Sequence, residues 1–259
     1  MKKIFLSSIF CFLSSILCFS QWNNKQCAVV LTYDDAISQQ LDNAFPVLDS
    51  LQLKATFYLT AYFAKDRIND WKKVAAKGYE LGNHTLYHPC LGGKGREWVK
   101  PDYDMSHYTV QRMIDEIRMT NVFLQALDGK TKRTFAYTCG DMKINDTSFI
   151  ESLKNDFVVA RGVRGQLNNI NNVDLYNVDC FVVNSYTAEH MEAWVKQAMQ
   201  TNSLLVILFH GVGGGNSLNV AVAEHSKFLH YLKQNEKDIW ITTMIDAAEY
   251  IKNHRLNRN

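Results

Sequence analysis

The sequence has little proline, little net charge and only one long hydrophobic run. Three prolines and thirteen glycines are spread over 259 residues, which excludes a collagen-like, linker-rich or low-complexity chain. The 28 lysines and arginines nearly balance the 26 aspartates and glutamates, so the formal charge is +2. This balance excludes a broad basic surface for nucleic acid, and the sequence has no acidic tail and no internal repeat. The remaining composition, 47% hydrophobic and 21% charged, is that of a globular protein with a large core.

The hydrophobic run lies at the N-terminus. Two lysines precede apolar residues that end at Phe19, and Ser20 is a small residue before a possible cut at Gln21. The run is shorter than the ~20 apolar residues that a membrane helix needs, and no comparable run follows it. We therefore predict a signal peptide at 1–20 and an exported domain at 21–259, periplasmic or extracellular, with no integral membrane span.

Export places the remaining cysteines in an oxidising compartment. Removal of the signal leaves four of them: Cys27, Cys90, Cys139 and Cys180. Four cysteines allow three pairings, and their spacing does not choose among these.

Short β-branched or aromatic runs alternate with longer amphipathic ones throughout 21–259. The runs predict strands at Ala28 to Tyr33, Ala55 to Leu59, Tyr79 to Asn83, Thr134 to Tyr137, Phe157 to Ala160, Val178 to Val183, Leu204 to Phe209 and Ile239 to Thr242. The amphipathic runs predict helices at Ser38 to Leu51, Asn69 to Lys77, Thr109 to Leu127, Ala188 to Gln200, Asn219 to Asn235 and Met244 to Asn253. This alternation predicts one α/β domain whose parallel sheet is open or closed into a barrel, and the length favours a barrel.

One segment breaks the alternation. Residues Leu91 to His107 contain three glycines and a proline among mixed polar residues, which predicts a loop of functional length. In α/β folds the loops after strand carboxyl ends build the site. We therefore look for chemistry just past each predicted strand.

Two adjacent carboxylates, Asp34 and Asp35, end the first strand. Adjacent carboxylates are costly without a positive group beside them. A helix N-cap is the ordinary explanation for one aspartate before Ala36. The second aspartate then needs another explanation.

Two histidines, His84 and His88, follow the third strand. On a helical turn this spacing puts both rings on one side, where they can hold one metal ion. Two histidines at this spacing, taken alone, are usually unrelated to each other. The carboxylates at another strand end favour a three-ligand site that leaves a position open for water.

Two further strand ends carry unusual residues. His210 ends the seventh strand before a glycine run at 211–215. A lone histidine there is usually a core residue, but the glycines indicate a backbone that makes room beside it. No Lys-Ser or Lys-Thr pair follows, so a phosphate loop is disfavoured. The other strand end, Phe135 to Asp141, could turn backbone amides toward the same pocket.

These strand ends resemble the motifs of the polysaccharide deacetylases, carbohydrate esterase family four, whose members remove acetyl groups from chitin-like, peptidoglycan or xylan chains. LTYDDA resembles the first motif, which implies Asp34 as general base and Asp35 as metal ligand. NHTLYHP resembles the second and implies His84 and His88 as ligands. LFHGVG resembles the fifth, which implies an acetyl pocket lined by Leu208 and a general acid at His210.

The third motif departs from the family pattern. FAYTCG has Ala136 where the family has an arginine that orients the catalytic base. Arg161 or Arg133 could supply that charge, and the backbone N–H of Cys139, beside Tyr137, could still donate to an oxyanion. The fourth motif, which tunes the histidine acid, is also blurred. Arg161 and Asp179 are its candidates.

The resemblance implies a distorted (β/α) barrel of about seven strands, one divalent metal ion, most typically Zn²⁺, and an acetylated glycan substrate. The implied reaction is hydrolysis of an N- or O-acetyl group on a polysaccharide or oligosaccharide. Two alternatives stay open: an amidohydrolase acting on a non-sugar amide, and a glycan-binding barrel without catalysis. All the implied ligands and the implied base are present, which favours the enzyme.

The implied roles also suggest one cysteine pairing. Cys90 lies two residues after the implied ligand His88, and Cys139 lies at the implied oxyanion strand end. Both should approach the same rim. We therefore predict a disulfide between them that holds the loop starting at Leu91.

Overall fold

The protein is built on one main sheet of eight parallel strands. The computed structural model describes residues 21–258, so the signal peptide predicted at 1–20 lies outside the described residues. The strands are β1 (Cys27–Asp34), β2 (Thr56–Leu59), β3 (Glu80–Asn83), β4 (Thr134–Ala136), β5 (Val159–Arg161), β6 (Phe181–Val182), β7 (Leu204–Phe209) and β8 (Ile239–Thr242). Each of the eight strands predicted from the sequence is confirmed, with ends that differ by a few residues.

Seven of the strands follow one another in the order β5-β4-β3-β2-β1-β7-β6, and β8 pairs with the first half of β1. One short segment links the two edges of this row. Leu175 and Val178 hydrogen-bond to Ala160 of β5 at 2.8 and 3.0 Å, and Phe181–Val182 then pairs with β7. The sheet therefore curls into a parallel half-barrel of seven strands, which confirms the distorted barrel implied by the family resemblance.

Alternate residues of the central strand serve two separate parts of the core. All eight residues of β1 are buried. Val29 and Leu31 pack in a cluster with side chains of the surrounding helices, whereas Ala28 and Val30 pack in an interior cluster. A strand buried on both faces needs apolar residues at consecutive positions, which explains the run AVVLTY.

Residues 21–258 form seven α-helices, which pack around the sheet. They are α1 (Phe45–Leu51), α2 (Ala61–Ala64), α3 (Ile68–Ala76), α4 (Val110–Asp128), α5 (Ala188–Gln200), α6 (Val222–Gln234) and α7 (Met244–Leu256). A π-helical segment, Gln40–Ala44, leads into α1. Pro46 lies in the first turn of α1 and has no N–H to donate to the preceding turn, which favours such an irregular entry.

One predicted helix start is wrong, and the last helix ends at Leu256 and not at Asn253. The helix predicted from Asn219 begins at Val222, because Asn219–Val220 forms a short strand with Gly211–Val212. Gly213 donates to the Val220 carbonyl at 2.8 Å. Pairing with a segment nearby in space thus replaces the first helical turn.

The predicted loop between Leu91 and His107 contains only two single-turn helices, Pro101–Tyr103 and Met105–His107.

Within residues 21–258, no helix has both the length and the apolar character needed to cross a bilayer.

Candidate active site

The carboxyl ends of β1, β3, β4 and β7 meet around one cavity of about 640 Å³. Its wall contains eight residues predicted from the sequence: Asp34, Asp35, His84, His88, Tyr137, Cys139, Leu208 and His210. Parallel strands present their carboxyl ends at one edge, which is why residues far apart in sequence converge here. The two remaining predicted residues, Arg161 and Asp179, are considered below.

Asp35, His84 and His88 form a compact cluster of possible metal ligands. Asp35 Oδ1 lies 3.4 Å from His84 Nε2 and 3.2 Å from His88 Nε2. One ligand atom from each residue lies within 4.8 Å of the other two. Asp35 Oδ1 is a buried oxygen that accepts no hydrogen bond from the described residues. One carboxylate and two imidazoles suit a divalent ion such as Zn²⁺ with a position left for water, so the residues present fit a metal ion.

The environment of the cluster prepares it for a cation. The backbone carbonyl of Ala136 lies 2.9 Å from His84 Nδ1, which places the ring proton there and leaves the Nε2 lone pair facing Asp35. Burial raises the pKa of Asp35, but the two imidazole rings of His84 and His88 beside it outweigh burial and hold that pKa well below its usual range. The carboxylate is therefore ionised and available as a ligand.

The two histidines converge through a tight loop, whereas the sequence analysis assumed a helical turn. Thr85 and His88 have φ values of 64° and 60°, so the segment is not helical. The Thr85 hydroxyl accepts from the His88 N–H at 2.9 Å, and the Asn83 side chain accepts from the Thr85 N–H at 2.8 Å. These two bonds close the loop and turn both rings toward Asp35.

The helix N-cap explanation for the aspartates is wrong. Asp34 is the last residue of β1, and Asp35 and Ala36 have φ values of 78° and 59°. The π-helical segment that follows has no side-chain cap. Asn216, which the sequence analysis did not single out, donates to Asp35 Oδ2 at 3.2 Å.

Arg161 lies where the third motif lacks its arginine. Its guanidinium is fully buried and forms a short charge-assisted hydrogen bond from Nη2 to Asp34 Oδ2. Arg161 is the register partner of Ala136 on the neighbouring strand. Burial works against its charge, but the Asp34 carboxylate outweighs burial and keeps the pKa of Arg161 above its ordinary value. The other candidate, Arg133, instead pairs with Asp128 at 2.6 Å.

His210 enters the cavity from the end of β7. Its Nδ1 is buried and has no hydrogen-bond partner among the described residues. Burial lowers the pKa of His210, against the opposing effect of Asp35 and Asp34. The candidate tuning residue Asp179 is engaged elsewhere, because Arg164 Nε donates to its carboxylate at 2.6 Å, and Asp179 does not line the cavity.

The predicted disulfide is confirmed. Cys90 and Cys139 are bonded, with Cα atoms 5.8 Å apart, whereas Cys27 and Cys180 are free buried thiols. Both sulfur atoms of the disulfide lie close enough to His88 to suggest a second metal cluster. A disulfide provides no thiolate ligands, so that cluster is excluded in the oxidised protein.

The sequence analysis also missed residues that brace the strand ends. Gln40 is fully buried, and its Nε2 donates to the carbonyls of Asp34 at 2.5 Å and His210 at 3.0 Å. Phe63 and Trp98 line the cavity as well. For Asn216, the glycine run after His210 was a usable sequence signal, because Asn216 follows it directly.

Comparison with known proteins identifies the family of this chain. The sequence profile of the family described as polysaccharide deacetylase matches residues 22–157. The chain therefore belongs to the polysaccharide deacetylase family.

Two curated relatives and one solved structure illustrate the likeness. A peptidoglycan-N-acetylmuramic acid deacetylase of Bacillus subtilis is 25% identical over 104 residues, which are 40% of this chain and 39% of that protein. A chitooligosaccharide deacetylase of Sinorhizobium fredii is 35% identical over 74 residues, which are 28% of this chain and 34% of that protein. The matched segment thus spans little more than a third of either relative. A candidate polysaccharide deacetylase of Mycobacterium smegmatis superposes with a TM-score of 0.62 at 12% identity, covering 89% of this chain and 92% of that one. At that identity the superposition shows the fold alone.

Proposed function

We propose that this protein is a metal-dependent hydrolase that removes acetyl groups from an N- or O-acetylated polysaccharide or oligosaccharide. The observation that carries the proposal is the convergence of three ligand side chains with a second, arginine-paired carboxylate and a histidine in one cavity. Metal binding alone would require only the ligands. The additional carboxylate and histidine are the groups that proton transfer requires.

A divalent ion such as Zn²⁺, held by Asp35, His84 and His88, would polarise the acetyl carbonyl and bring the pKa of bound water to ~7. The residues of the chain do the rest. Asp34 accepts the proton of the attacking water, and the hydrogen bond from Arg161 holds its carboxylate in place at the cavity.

The oxyanion and the leaving group need donors on the far side of the cavity. The backbone N–H of Cys139 is proposed to donate to the oxyanion, a contact that is typically worth ~2.7–4 kcal/mol. His210 is proposed to protonate the departing amine or sugar oxygen. Because burial lowers its pKa, the protonated ring gives up its proton readily. Leu208 and Tyr137 bound the space for the acetyl group.

We also propose that the protein is exported after cleavage at Gln21. The lysines and apolar run at 1–20 support this, and the Cys90–Cys139 disulfide suits an oxidising compartment. N-terminal sequencing of protein taken from the native envelope tests this proposal. A chain that starts at Met1 in the cytoplasmic fraction would overturn it.

The function is tested by measuring acetate release and bound metal together, on a panel of N- and O-acetylated glycans and small non-sugar amides. Asp35→Ala, His84→Ala and His88→Ala should each lose the metal ion, because two ligands usually cannot hold zinc against buffer. Asp34→Asn should keep the metal and lose turnover by ~10²–10⁴-fold.

His230→Ala is a matched control, because His230 is an exposed histidine on α6. It should retain both metal and turnover. Acetate release from the non-sugar amides alone would show that the substrate is a non-sugar amide and not a glycan. Metal binding without any hydrolysis would indicate a binding protein. If Asp34→Asn kept near-normal turnover, the role given to this aspartate would be wrong.

A further inference from the structure

The two carboxylate oxygens of Asp35 have different surroundings. Oδ1 lies 3.4 Å from His84 Nε2 and 3.2 Å from His88 Nε2, and it accepts no hydrogen bond from the described residues. Oδ2 accepts a hydrogen bond from the side-chain amide of Asn216 at 3.2 Å. A neutral donor thus occupies one oxygen, and the other oxygen is left for a cation beside the two imidazole rings.

The direction of the Asn216 amide follows from its second contact. Its Oδ1 accepts the backbone N–H of Leu218 at 2.9 Å. An asparagine side chain has one acceptor oxygen and one donor nitrogen, so the bond to Leu218 leaves the NH₂ group to face Asp35. The opposite orientation would set two oxygens against each other at Asp35 and two donors against each other at Leu218. Both ends of the amide are therefore matched to their partners.

The loop that carries Asn216 is closed by hydrogen bonds. Its two ends pair with each other as short strands at 211–212 and 219–220. The Gly214 N–H donates to the side-chain oxygen of Asn219 at 2.8 Å, and the Asn219 carbonyl accepts the Ser185 N–H at 2.7 Å. Asn216 is thus held near Asp35 before any ion binds, which lowers the entropic cost of arranging the site.

The glycine run lets this loop approach the segment after the aspartates. The glycines at 213–215 have φ values of 73°, 120° and 86°, a region that residues with a Cβ atom rarely adopt. A Cβ atom on Gly215 would lie only 2.5 Å from the side chain of Ile37, two residues after Asp35. The run thus brings the loop close enough for Asn216 to reach Asp35.

A hydrogen bond to the second oxygen is a common support for a carboxylate that binds a metal ion. Such a partner fixes the orientation of the ligand, and its loss typically costs ~10–100-fold in metal affinity. A neutral amide provides this support without adding a positive charge that would compete with the ion for Asp35. Asn216 has the chemistry and the position that this role requires.

We infer that Asn216 is a positioning residue of the metal site, because it holds Oδ2 of Asp35 and so keeps Oδ1 beside His84 and His88. This inference rests on the proposed function, which assigns a divalent ion to these three residues. Asn216 also lines the catalytic cavity. A contact with substrate is therefore the competing role, and the experiment below includes it.

The test is the zinc dissociation constant, measured without substrate by competition with a chromophoric chelator. Asn216→Leu keeps a branched side chain but removes the donor, and Asn216→Ala is a second variant without bulk. Both should bind zinc ~10–100-fold more weakly than the wild type, because Asp35 loses the partner that fixes it. Asn253→Leu is the matched control, since Asn253 is an exposed asparagine on α7. It should bind zinc as the wild type does.

The visible spectrum of the Co²⁺-loaded protein separates positioning from a general loss of order. Its bands report how the ligands are arranged around the ion. They should therefore shift in Asn216→Leu and remain unchanged in Asn253→Leu. Weaker zinc binding by Asn216→Leu with an unchanged Co²⁺ spectrum would overturn the inference, because the ligands would then be arranged as before.

The remaining outcomes separate failure of this inference from failure of the proposed function. Zinc affinities of both Asn216 variants equal to that of the wild type would overturn the inference, and a raised KM in those variants would assign Asn216 to substrate binding. Zinc binding by the wild type without acetate release from any substrate would contradict the proposed function alone, because the dissociation constant needs no turnover. A wild type that binds no zinc would contradict both.

Discussion

Asp34 and Arg161 form an ion pair between residues that are 127 positions apart in the chain, and both side chains are almost completely buried. The arginine comes from the strand next to the one where the family motif has it, at the position in register with Ala136. We propose that Arg161 takes the place of the motif arginine from the adjacent strand.

Arg161→Met should lower turnover by ~10²-fold or more while bound metal remains, because Asp34 loses the hydrogen bond that orients it. KM should change little, because Arg161 does not line the cavity. The free energy of unfolding should fall by about 3–5 kcal/mol, since a buried carboxylate is left unpaired. Arg161→Lys should restore part of both. A loss of turnover in Arg161→Met that only matches the fraction of unfolded protein would show that the pair is structural.

His210→Ala should reduce turnover by ~10²–10⁴-fold and keep the metal. The loss should be larger on an N-acetyl than on an O-acetyl substrate, because an unprotonated amine is the poorer leaving group. Acetate-release kinetics on matched amide and ester substrates measure this difference. Equal losses on both substrates would argue against His210 as the general acid.

Gln40→Leu should slow turnover. Gln40 donates hydrogen bonds to the backbone carbonyls of Asp34 and His210, which end two strands at the cavity, and leucine cannot replace these bonds. Each lost hydrogen bond should lower the free energy of unfolding by ~1–3 kcal/mol. Bound metal should remain. Gln125→Leu on the exposed face of α4 is the matched control and should change neither quantity. If Gln40→Leu turned over as fast as the control, Gln40 would not be needed to position the catalytic groups.

Replacing Cys90 and Cys139 together with serine should lower the free energy of unfolding by ~2–4 kcal/mol. Denaturant unfolding under non-reducing conditions measures the change. Thiol counting on the denatured mature protein should find only Cys27 and Cys180. Reactive thiols that map to Cys90 and Cys139 would contradict the disulfide.

His225 should make the protein less stable in acid. Burial lowers the pKa of His225 to about 3, whereas an unfolded histidine has a pKa of ~6.5. Between these values the unfolded chain binds a proton that the folded chain does not, so stability falls as the pH drops below ~6.5. The loss should reach about 2 kcal/mol at pH 5.

His225→Phe should flatten this acid dependence, although it also removes the 2.7 Å contact with the Tyr33 hydroxyl and so lowers stability at pH 8. Tyr33→Phe removes the same contact but keeps the histidine, so its stability should still fall with acid. Chemical unfolding at pH 8, 6 and 5 separates the two variants. Identical slopes in His225→Phe and wild type would assign the acid dependence to other groups.

Much of the fold could be predicted from the sequence because its signals are local. The run AVVLTY by itself predicts that β1 is buried on both faces. The regular alternation of strands and helices predicts the parallel barrel. The shift of one helix start to Val222 could not be predicted, because Asn219 and Val220 pair with residues brought near them only by folding.

The residue types at the strand ends, among them Asp34, Asp35, His84 and His88, could be found from the sequence because the carboxyl ends of parallel strands must share one edge. The same sequence left Arg133 and Arg161 as equal candidates. Only the tertiary structure separated them, since Arg133 pairs with Asp128 near it in the chain while Arg161 is carried by its strand to Asp34. The catalytic cavity likewise joins Phe63 of α2 and Trp98 of the loop after β3. Strand order and loop packing decide such long-range contacts, and no local pattern records them.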